Sequence, residues 1–158
     1  MASLAKNFEK KFHEDWCRTM PNSFIMRIPD QMSKYKDTSQ NICDYICFKD
    51  GILYLIELKT TKGNTLSFKN ISQYDKLIRY IGVNKVRTGV IVWFYEKDKI
   101  IYVPASSMKQ MRENGEKSIN LKKTLDKGIY KCYNIDGVKR RVYFDSDYSI
   151  LTTTEEEE

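Results

Sequence analysis

The sequence predicts an α/β fold, and three stretches of the chain carry that prediction. An apolar residue recurs at every fourth position of residues 3–20, which is the spacing of one helical face: Leu4, Phe8, Phe12 and Trp16. Two strand-forming runs, 42–48 and 52–59, flank Asp50-Gly51, a pair typical of a two-residue hairpin turn. Residues 89–95 are β-branched and aromatic, as in a buried strand.

The same patterns predict the remaining elements. These are a strand at 23–28, a loop at 30–40, a polar connection at 60–69, a helix at 71–81 that stops at Gly82, a strand at 100–103, helices at 105–113 and 121–127, and a second hairpin of 129–134 and 138–144 around Asp136-Gly137. A length of 158 residues suits one domain. We place that domain at residues 1–150, with a frayed acidic tail at 151–158.

Composition excludes several classes of protein. Apolar residues make up 41% and aromatic residues 13%, which argues against a disordered or fibrous chain. No apolar run approaches the roughly 20 residues that a membrane-spanning helix needs. The first residues lack the apolar block of a signal peptide. We therefore expect a soluble, cytoplasmic protein without a membrane partner.

The charge balance favours a polyanionic partner. The formal net charge is +6, and without the four glutamates at 155–158 the rest of the chain carries +10. A field of that sign attracts nucleic acid. A well-solvated basic surface without a function is the alternative.

Cysteine and histidine usage narrows the chemistry. The four cysteines are scattered without a CxxC pair, and the chain has one histidine, His13. This usage argues against a zinc site and against a disulfide framework, and it excludes chemistry that needs two histidines. We expect the cysteines to be buried free thiols.

The first hairpin predicts that two acids lie together. If Asp50-Gly51 forms the turn, paired residues have numbers that sum to 101, which sets Asp44 opposite Glu57. Opposed side chains share one face with Cβ atoms roughly 4.5–5.5 Å apart, and like charges at that distance repel. Their neighbours on that face are apolar: Ile46, Phe48, Leu53 and Leu55. A buried acidic pair therefore needs a compensating charge.

A divalent cation supplies that charge, since Mg²⁺ and Mn²⁺ prefer hard oxygen ligands. Alternation along the strand puts Lys59 on the face of Glu57, where an ammonium group can act on a phosphate or a water. Two carboxylates, a metal and a lysine are the parts of metal-assisted phosphodiester hydrolysis. The alternative is an edge hairpin whose acids point into water.

These residues resemble the metal-binding hairpin of the PD-(D/E)xK nuclease superfamily. The segment runs from Asn41-Ile42-Cys43-Asp44 through Asp50-Gly51 to Glu57-Leu58-Lys59-Thr60. Within the superfamily the chain is most similar to RecU-type Holliday-junction resolvases, particularly small phage-borne relatives. The resemblance implies a restriction-endonuclease-like fold, a mixed central β-sheet flanked by helices.

The resemblance also implies further site residues. Glu9 matches an acidic residue on the first helix that completes the metal site, and Gln73 matches a glutamine on the helix after the hairpin. With Asp44, Glu57 and the main-chain carbonyl of Leu58, Glu9 would bind Mg²⁺ or Mn²⁺. An ordinary surface position is the alternative for both Glu9 and Gln73.

Two features depart from the family. A glycine usually precedes the helical glutamate, and residues 4–7 contain none. The family's long stalk, which reaches into the centre of a four-way junction, is replaced by the much shorter segment 30–40. The leading hypothesis is a homodimeric endonuclease that resolves branched DNA by paired nicks. A restriction-type or repair endonuclease on duplex or flap DNA, and a DNA-binding module that does not cut, are the alternatives.

DNA binding is expected to be electrostatic and spread over several segments. The candidate residues are Lys34, Tyr35, Lys36, Lys62, Lys69, Lys76, Arg79, Lys139, Arg140 and Arg141. Tyr35 could stack on an unpaired base, and the alternative is an ordinary surface tyrosine.

Overall fold

A computed structural model describes residues 3–29, 41–141 and 144–152. The helices are α1 (Leu4–Thr19), α2 (Tyr74–Ile78) and α3 (Ala105–Glu113). The strands are β1 (Phe24–Arg27), β2 (Tyr45–Lys49), β3 (Ile52–Thr61), β4 (Thr65–Ser67), β5 (Val86–Phe94), β6 (Lys99–Pro104), β7 (Ser118–Asn120), β8 (Tyr133–Asn134), β9 (Gly137–Lys139) and β10 (Phe144–Ser146). No helix in these residues is long and apolar enough to cross a membrane.

The main sheet has six strands in the order β1-β2-β3-β5-β6-β8. Its neighbours are antiparallel except β3 and β5, which run parallel, so the sheet is mixed as the resemblance implied. One face packs against the apolar stripe of α1, including Phe12 and Trp16, which are fully buried. The other face packs against α2 and α3, with Leu77 and Met108 in its core. The domain is thus a three-layer α/β structure.

The α1 helix forms as the four-residue spacing predicts. Ser3 caps its N-terminus by accepting the Lys6 N–H. Because the helix buries only one stripe, Cys17 lies on its outer side and is exposed, contrary to the expectation for the cysteines. Cys43 and Cys47 are buried as expected, and Cys132 is half-buried.

The predicted helix at 71–81 is shorter in the structure. Its apolar face is correct, since Ile71, Tyr74 and Leu77 are buried. The N–H groups of Ile71, Tyr80 and Ile81 instead bond to the carbonyls three residues back, so tighter turns flank a single α-helical stretch. Gly82 ends the segment with φ +85°.

The predictions for residues 60–69 and for the second hairpin are both wrong. Residues 60–69 are not a plain connection, because β3 extends to Thr61 and β4 pairs with β7 in a separate small sheet. The second hairpin does not form either: β8 joins β6 in the main sheet, and β9 pairs with β10. Gly137 lacks the positive φ of a tight hairpin turn, whereas Asp50 and Gly51 both have it.

Two boundaries near the C-terminus also differ. The predicted helix at 121–127 is a π-helical turn, Lys122–Asp126, followed by Gly128 with φ +59°. The tail was expected to begin at residue 151, yet Leu151 is fully buried and its carbonyl accepts hydrogen bonds from Tyr54 and Arg87. Residues 153–158 lie outside the described residues.

Candidate active site

The β2–β3 hairpin has the predicted register. Its partners sum to 101 throughout the ladder, up to Tyr45 opposite Ile56. Asp44 lies one residue before the first ladder pair, so Asp44 is not itself a ladder partner of Glu57. Its carboxylate still reaches that side chain, as the contacts below show.

The main chain holds Asp44 at three points. Its N–H donates to the carbonyl of Ile56 at 3.1 Å, and its carbonyl accepts the Ile28 N–H at 2.8 Å. Its Oδ2 atom accepts the Leu58 N–H at 2.9 Å. The β1, β2 and β3 segments therefore jointly fix where this carboxylate points.

Glu57 lies in the interior with a poorly compensated carboxyl group. The residue is 1% exposed, and in the described part of the chain its Oε2 atom has no hydrogen-bond partner. Burial raises its pKa well above the ordinary range, and a hydrogen bond and the charge of Asp44 raise it further. The nearby Lys59 ammonium lowers this pKa, but it does not cancel the other effects.

The two carboxyl groups fit a divalent cation. An unpartnered buried oxygen and two carboxylates in contact are stabilised by a hard cation, which accepts oxygen ligands of opposite charge. The described residues contain no cluster of three or more His, Cys, Asp or Glu side chains placed to share a metal. The structure therefore assembles Asp44 and Glu57, and it does not add Glu9 to them.

Glu9 is paired elsewhere. Its Oε2 atom accepts a hydrogen bond from Arg27 Nε at 3.0 Å. Its charge still raises the pKa of Glu57, so the two carboxyl groups interact electrostatically. Glu9 sits on α1, against one face of the sheet, whereas the side chain of Glu57 belongs to the opposite face.

A cavity of about 640 Å³ opens beside Glu9. Its other lining residues are Lys6, Lys10, His13, Glu14, Arg27 and Tyr45. Its cationic residues are not among the site residues predicted from the sequence. The spacing of Lys6, Lys10 and His13 along α1 could have indicated them, because residues three and four apart share one helical face.

Gln73 has a partner other than the acids. It lies at the N-terminal end of α2, where its Oε1 atom accepts a hydrogen bond from Ser72 Oγ at 2.8 Å. The structure does not bring this side chain into contact with Asp44 or Glu57.

The predicted DNA-binding residues fall into three groups. Lys34, Tyr35 and Lys36 lie outside the described residues. Lys62, Lys69 and Arg79 are exposed and Lys76 is half-buried, all on the segments that follow β3. In the third group, Lys139 Nζ pairs with Asp98 at 2.7 Å and Arg140 Nε with Asp145 at 2.6 Å, while Arg141 is exposed.

Comparison with known proteins identifies the family. The family described as RecU, Recombination protein U, matches residues 25–138. The chain belongs to the RecU family. The resemblance to PD-(D/E)xK nucleases and to Holliday-junction resolvases is thereby confirmed. The matched range includes Asp44, Glu57, Lys59 and Gln73, and it begins after Glu9.

A solved structure shares the fold. Hjc from Archaeoglobus fulgidus, described as a Holliday junction resolvase from an archaeal hyperthermophile, superposes with a TM-score of 0.50 at 18% sequence identity. The match covers 73% of this chain and 87% of Hjc. The restriction-endonuclease-like fold class is therefore correct. No match was found among curated proteins.

Proposed function

We propose that this RecU-family chain is an endonuclease that depends on Mg²⁺ or Mn²⁺ and resolves four-way DNA junctions. The observation that carries the proposal is the pair of contacting carboxyl groups of Asp44 and Glu57. Glu57 is 1% exposed, and its Oε2 atom has no hydrogen-bond partner in the part of the chain that the structure describes. A retired site gains nothing by keeping such a pair buried, because the contact costs free energy. This argues against a DNA-binding module that does not cut.

The residues that would hold the metal are Asp44, Glu57 and the main-chain carbonyl of Leu58. A divalent cation bound there supplies stabilisation of negative charge on the reacting phosphate and eases ionisation of the attacking water. Asp44 is already oriented by the Leu58 N–H, so its carboxyl group has a defined direction. Glu9 would join them only after its ion pair with Arg27 opens.

Lys59 is proposed to act in the chemical step. It lies two residues after Glu57 on β3, so both side chains belong to one face of the sheet. Its ammonium group is close enough to lower the pKa of Glu57. There it can neutralise charge that develops on the phosphate, or hold the attacking water by a hydrogen bond.

The substrate assignment follows from the family and from symmetry. A four-way junction has approximate twofold symmetry, and its resolution into two duplexes requires two cuts. One chain offers one site, so we propose a homodimer that makes symmetric nicks near the crossover. The basic residues of the segments after β3, Lys62, Lys69, Lys76 and Arg79, would contact phosphates, as would Lys34 and Lys36 on the segment 30–40.

The test is cleavage of a labelled four-way junction, a flap and a linear duplex in parallel, with Mg²⁺ or with a chelator. We expect metal-dependent, paired cuts in the junction and much weaker cutting of linear duplex. Glu57→Gln protein is the control against a contaminating nuclease. Equal cutting of junction and linear duplex would replace the resolvase by a restriction-type or repair endonuclease. Binding without any cutting would leave only a DNA-binding module.

A further inference from the structure

The two-stranded sheet of β4 and β7 has one apolar face and one polar face. Leu66 and Ile119 are partners in its ladder, and both are buried in the core beneath α2 and α3. Side chains alternate along a strand, so the residues before and after these two belong to the opposite face. That face carries only short polar side chains, here called the polar platform: Thr65, Ser67, Ser118 and Asn120. Thr65 is exposed, and the other three are partly exposed.

Two exposed lysines lie at one end of the polar platform. The Leu121 N–H donates to the carbonyl of Asn64 at 2.8 Å, which continues the pairing of the two segments by one step. Lys62 lies two residues before Asn64, and Lys122 follows Leu121, so both lysines flank the same end. They belong to segments that are distant in the sequence, and the β4–β7 pairing brings them together.

Three exposed cations lie at the other end of the platform. The Phe68 N–H donates to the Lys117 carbonyl at 3.1 Å, and Lys69 follows Phe68. The guanidinium group of Arg112 lies over the rings of Phe68 and Tyr74, with its Cζ atom 5.8 and 4.5 Å from their centroids. Stacking on a ring holds the planar guanidinium in place while its N–H groups can still donate to an anion. The platform therefore has positive charge at both ends.

Acidic side chains are missing from the two segments that form the platform. Residues 58–74 and 117–125 contain neither aspartate nor glutamate. The acid just before the second segment, Glu116, pairs with Lys123 Nζ at 2.6 Å. No ion pair in the described part of the chain involves the lysines at the two ends of the platform. Unlike Lys139, these lysines need not release a carboxylate before they bind an anion.

The polar groups of the platform are oriented to donate hydrogen bonds. Ser67 Oγ accepts the Lys69 N–H at 3.2 Å, and Asn120 Oδ1 accepts the N–H groups of Lys122 at 3.0 Å and Lys123 at 3.3 Å. Their acceptor atoms are thus directed at the main chain, while the hydroxyl and amide hydrogens can donate to a bound molecule. A partner with many acceptor atoms and negative charge suits this surface, and the phosphodiester backbone has both.

The platform fits a duplex better than a single strand. Proteins hold single strands largely by stacking bases on exposed aromatic rings, and the rings at the end of the platform, Phe68 and Tyr74, are buried. Lys117 and Lys122 are five residues apart, which is roughly 16 Å at the rise of an extended chain. At 3.4 Å per phosphate along one strand of a duplex, this distance spans about five steps.

We propose that the polar platform and the cations at its two ends bind the phosphate backbone of one duplex arm of the DNA. The lysines and Arg112 supply charge-assisted contacts, and the hydroxyl and amide groups between them supply neutral hydrogen bonds. Contacts to phosphate position a duplex without reading its bases. Binding through the platform should therefore be independent of DNA sequence.

The platform lies beside the proposed catalytic residues, and in that respect this inference rests on the proposed function. Thr61 ends β3 two residues after Lys59, and its hydroxyl group donates to the carbonyl of Thr65 at 2.8 Å. An arm bound to the platform therefore passes the end of β3 that carries Lys59. The platform would hold the arm whose strand is cut.

The first experiment measures junction binding by fluorescence anisotropy without divalent metal, at several salt concentrations. It compares wild type with Lys117→Gln, Lys122→Gln and Lys85→Gln. Lys85 is the matched control, because it is exposed and precedes β5 at the opposite end of the main sheet. We expect each platform variant to lose about five-fold in affinity near 0.1 M salt and to reduce the salt slope by about 1.

The control should bind like wild type, and Lys122→Arg should too, since it keeps the charge. Platform variants that are indistinguishable from Lys85→Gln would overturn the proposal. Equal losses in all three variants would do so as well, because they would show that only net charge matters.

A second measurement uses wild type alone, so it does not depend on the folding of a variant. Acetylation of lysines is followed by mass spectrometry with linear duplex DNA, with single-stranded DNA of equal length, or without DNA. Duplex should protect the four platform lysines and leave Lys85 as reactive as before: Lys62, Lys69, Lys117 and Lys122. Absence of this protection, or protection by the single strand alone, would contradict a duplex-binding platform.

The binding measurements separate this inference from the proposed function, because neither requires cleavage. If wild type cuts no DNA but the platform lysines still govern duplex binding, the platform stands and the nuclease assignment fails. If wild type cuts junctions while Lys117→Gln and Lys122→Gln bind them normally, the nuclease assignment stands and the platform fails.

Discussion

Asp15 and Glu57 are both 1% exposed, yet their surroundings are opposite. Asp15 accepts hydrogen bonds from Lys11 at 3.0 Å, Arg18 at 3.2 Å and the Ser146 N–H at 3.0 Å. Glu57 faces a second carboxyl group, Asp44, and one of its oxygens has no hydrogen-bond partner among the described residues. A buried acid whose charge is compensated by hydrogen bonds and cations links structural elements, whereas a buried acid without such partners is suited to binding a cation.

The compensated acid also explains how the C-terminal strands are attached. Lys11 Nζ bridges Asp15 and Asp145, at 3.0 and 2.6 Å, and so links α1 to β10. The hydrogen bonds from Lys11 and Arg140 lower the pKa of Asp145 to about 2. Lys11, Asp15 and Asp145 all lie outside residues 25–138, the range that matches the family. The network attaches β10 to α1 and takes no part in the chemistry proposed for the β2–β3 hairpin.

The largest expected effect tests the functional side of this contrast. Glu57→Gln and Asp44→Asn should each abolish junction cleavage, because each removes a carboxylate proposed to hold the metal. The measurement is single-turnover cleavage of a labelled junction with saturating protein and Mg²⁺. Circular dichroism should show unchanged folding. A near wild-type rate in either variant would show that the site assignment is wrong.

Lys59→Ala should lower turnover by about 100-fold or more, as expected for loss of a group that stabilises charge in the transition state. Its affinity for junction DNA should stay within a few-fold, since one cation contributes little to a many-contact electrostatic sum. Binding in Ca²⁺ and cleavage in Mg²⁺ measure the two effects separately. Weak binding with normal cleavage at saturation would instead make Lys59 a docking residue.

On the structural side, Asp15→Asn should destabilise the fold by about 2–3 kcal/mol, because it weakens charge-assisted hydrogen bonds to Lys11 and Arg18. Urea unfolding of wild type and variant measures the free energy of unfolding. Cleavage by the folded variant should be unchanged. An unaltered unfolding midpoint would show that the carboxylate of Asp15 does not stabilise the fold.

The stability of the metal-free protein should depend on pH because of the buried carboxyl group of Glu57. A folded-state pKa of Glu57 above its unfolded value means that the folded chain binds more protons. Stability of metal-free wild type should therefore fall as pH rises above the unfolded pKa, about 4.3, toward the raised one. Glu57→Gln cannot ionise, so its melting temperature in chelator should exceed that of wild type by a margin that grows with pH. A difference in melting temperature that is independent of pH would contradict this explanation. Addition of Mg²⁺ should raise the melting temperature of wild type but not that of Glu57→Gln.

The smallest effect concerns the basic residues. Lys62 is exposed just after β3, whereas Lys139 pairs with Asp98 at 2.7 Å. Lys62→Ala should reduce the slope of log affinity against log salt by about 1, and Lys139→Ala by less, because an ion pair competes with the phosphate. Fluorescence anisotropy at several salt concentrations gives both slopes. Equal slopes would mean that the ion pair does not matter for binding.

Much of the β2–β3 hairpin could be predicted from the sequence because its determinants are local. A two-residue turn with positive φ at Asp50 and Gly51 sets the register of both strands, and alternation then assigns Glu57 and Lys59 to one face. The α1 helix is local in the same sense, since a stripe repeated every four residues defines its buried side. Both depend on neighbours within a few positions.

What the sequence alone determined was therefore the α/β class, the first helix, the hairpin register and the meeting of Asp44 with Glu57. The tertiary structure alone decided that Glu9 pairs with Arg27, that β9 pairs with β10, and that β4 pairs with β7. These choices are competitions between segments that are distant in the sequence, and each is settled by which surface is buried against which. Asp136-Gly137 has the same residue types as Asp50-Gly51 but does not form a hairpin turn. The reason is that β8, which precedes it, pairs with β6 in the main sheet, whereas β9, which follows it, pairs with β10.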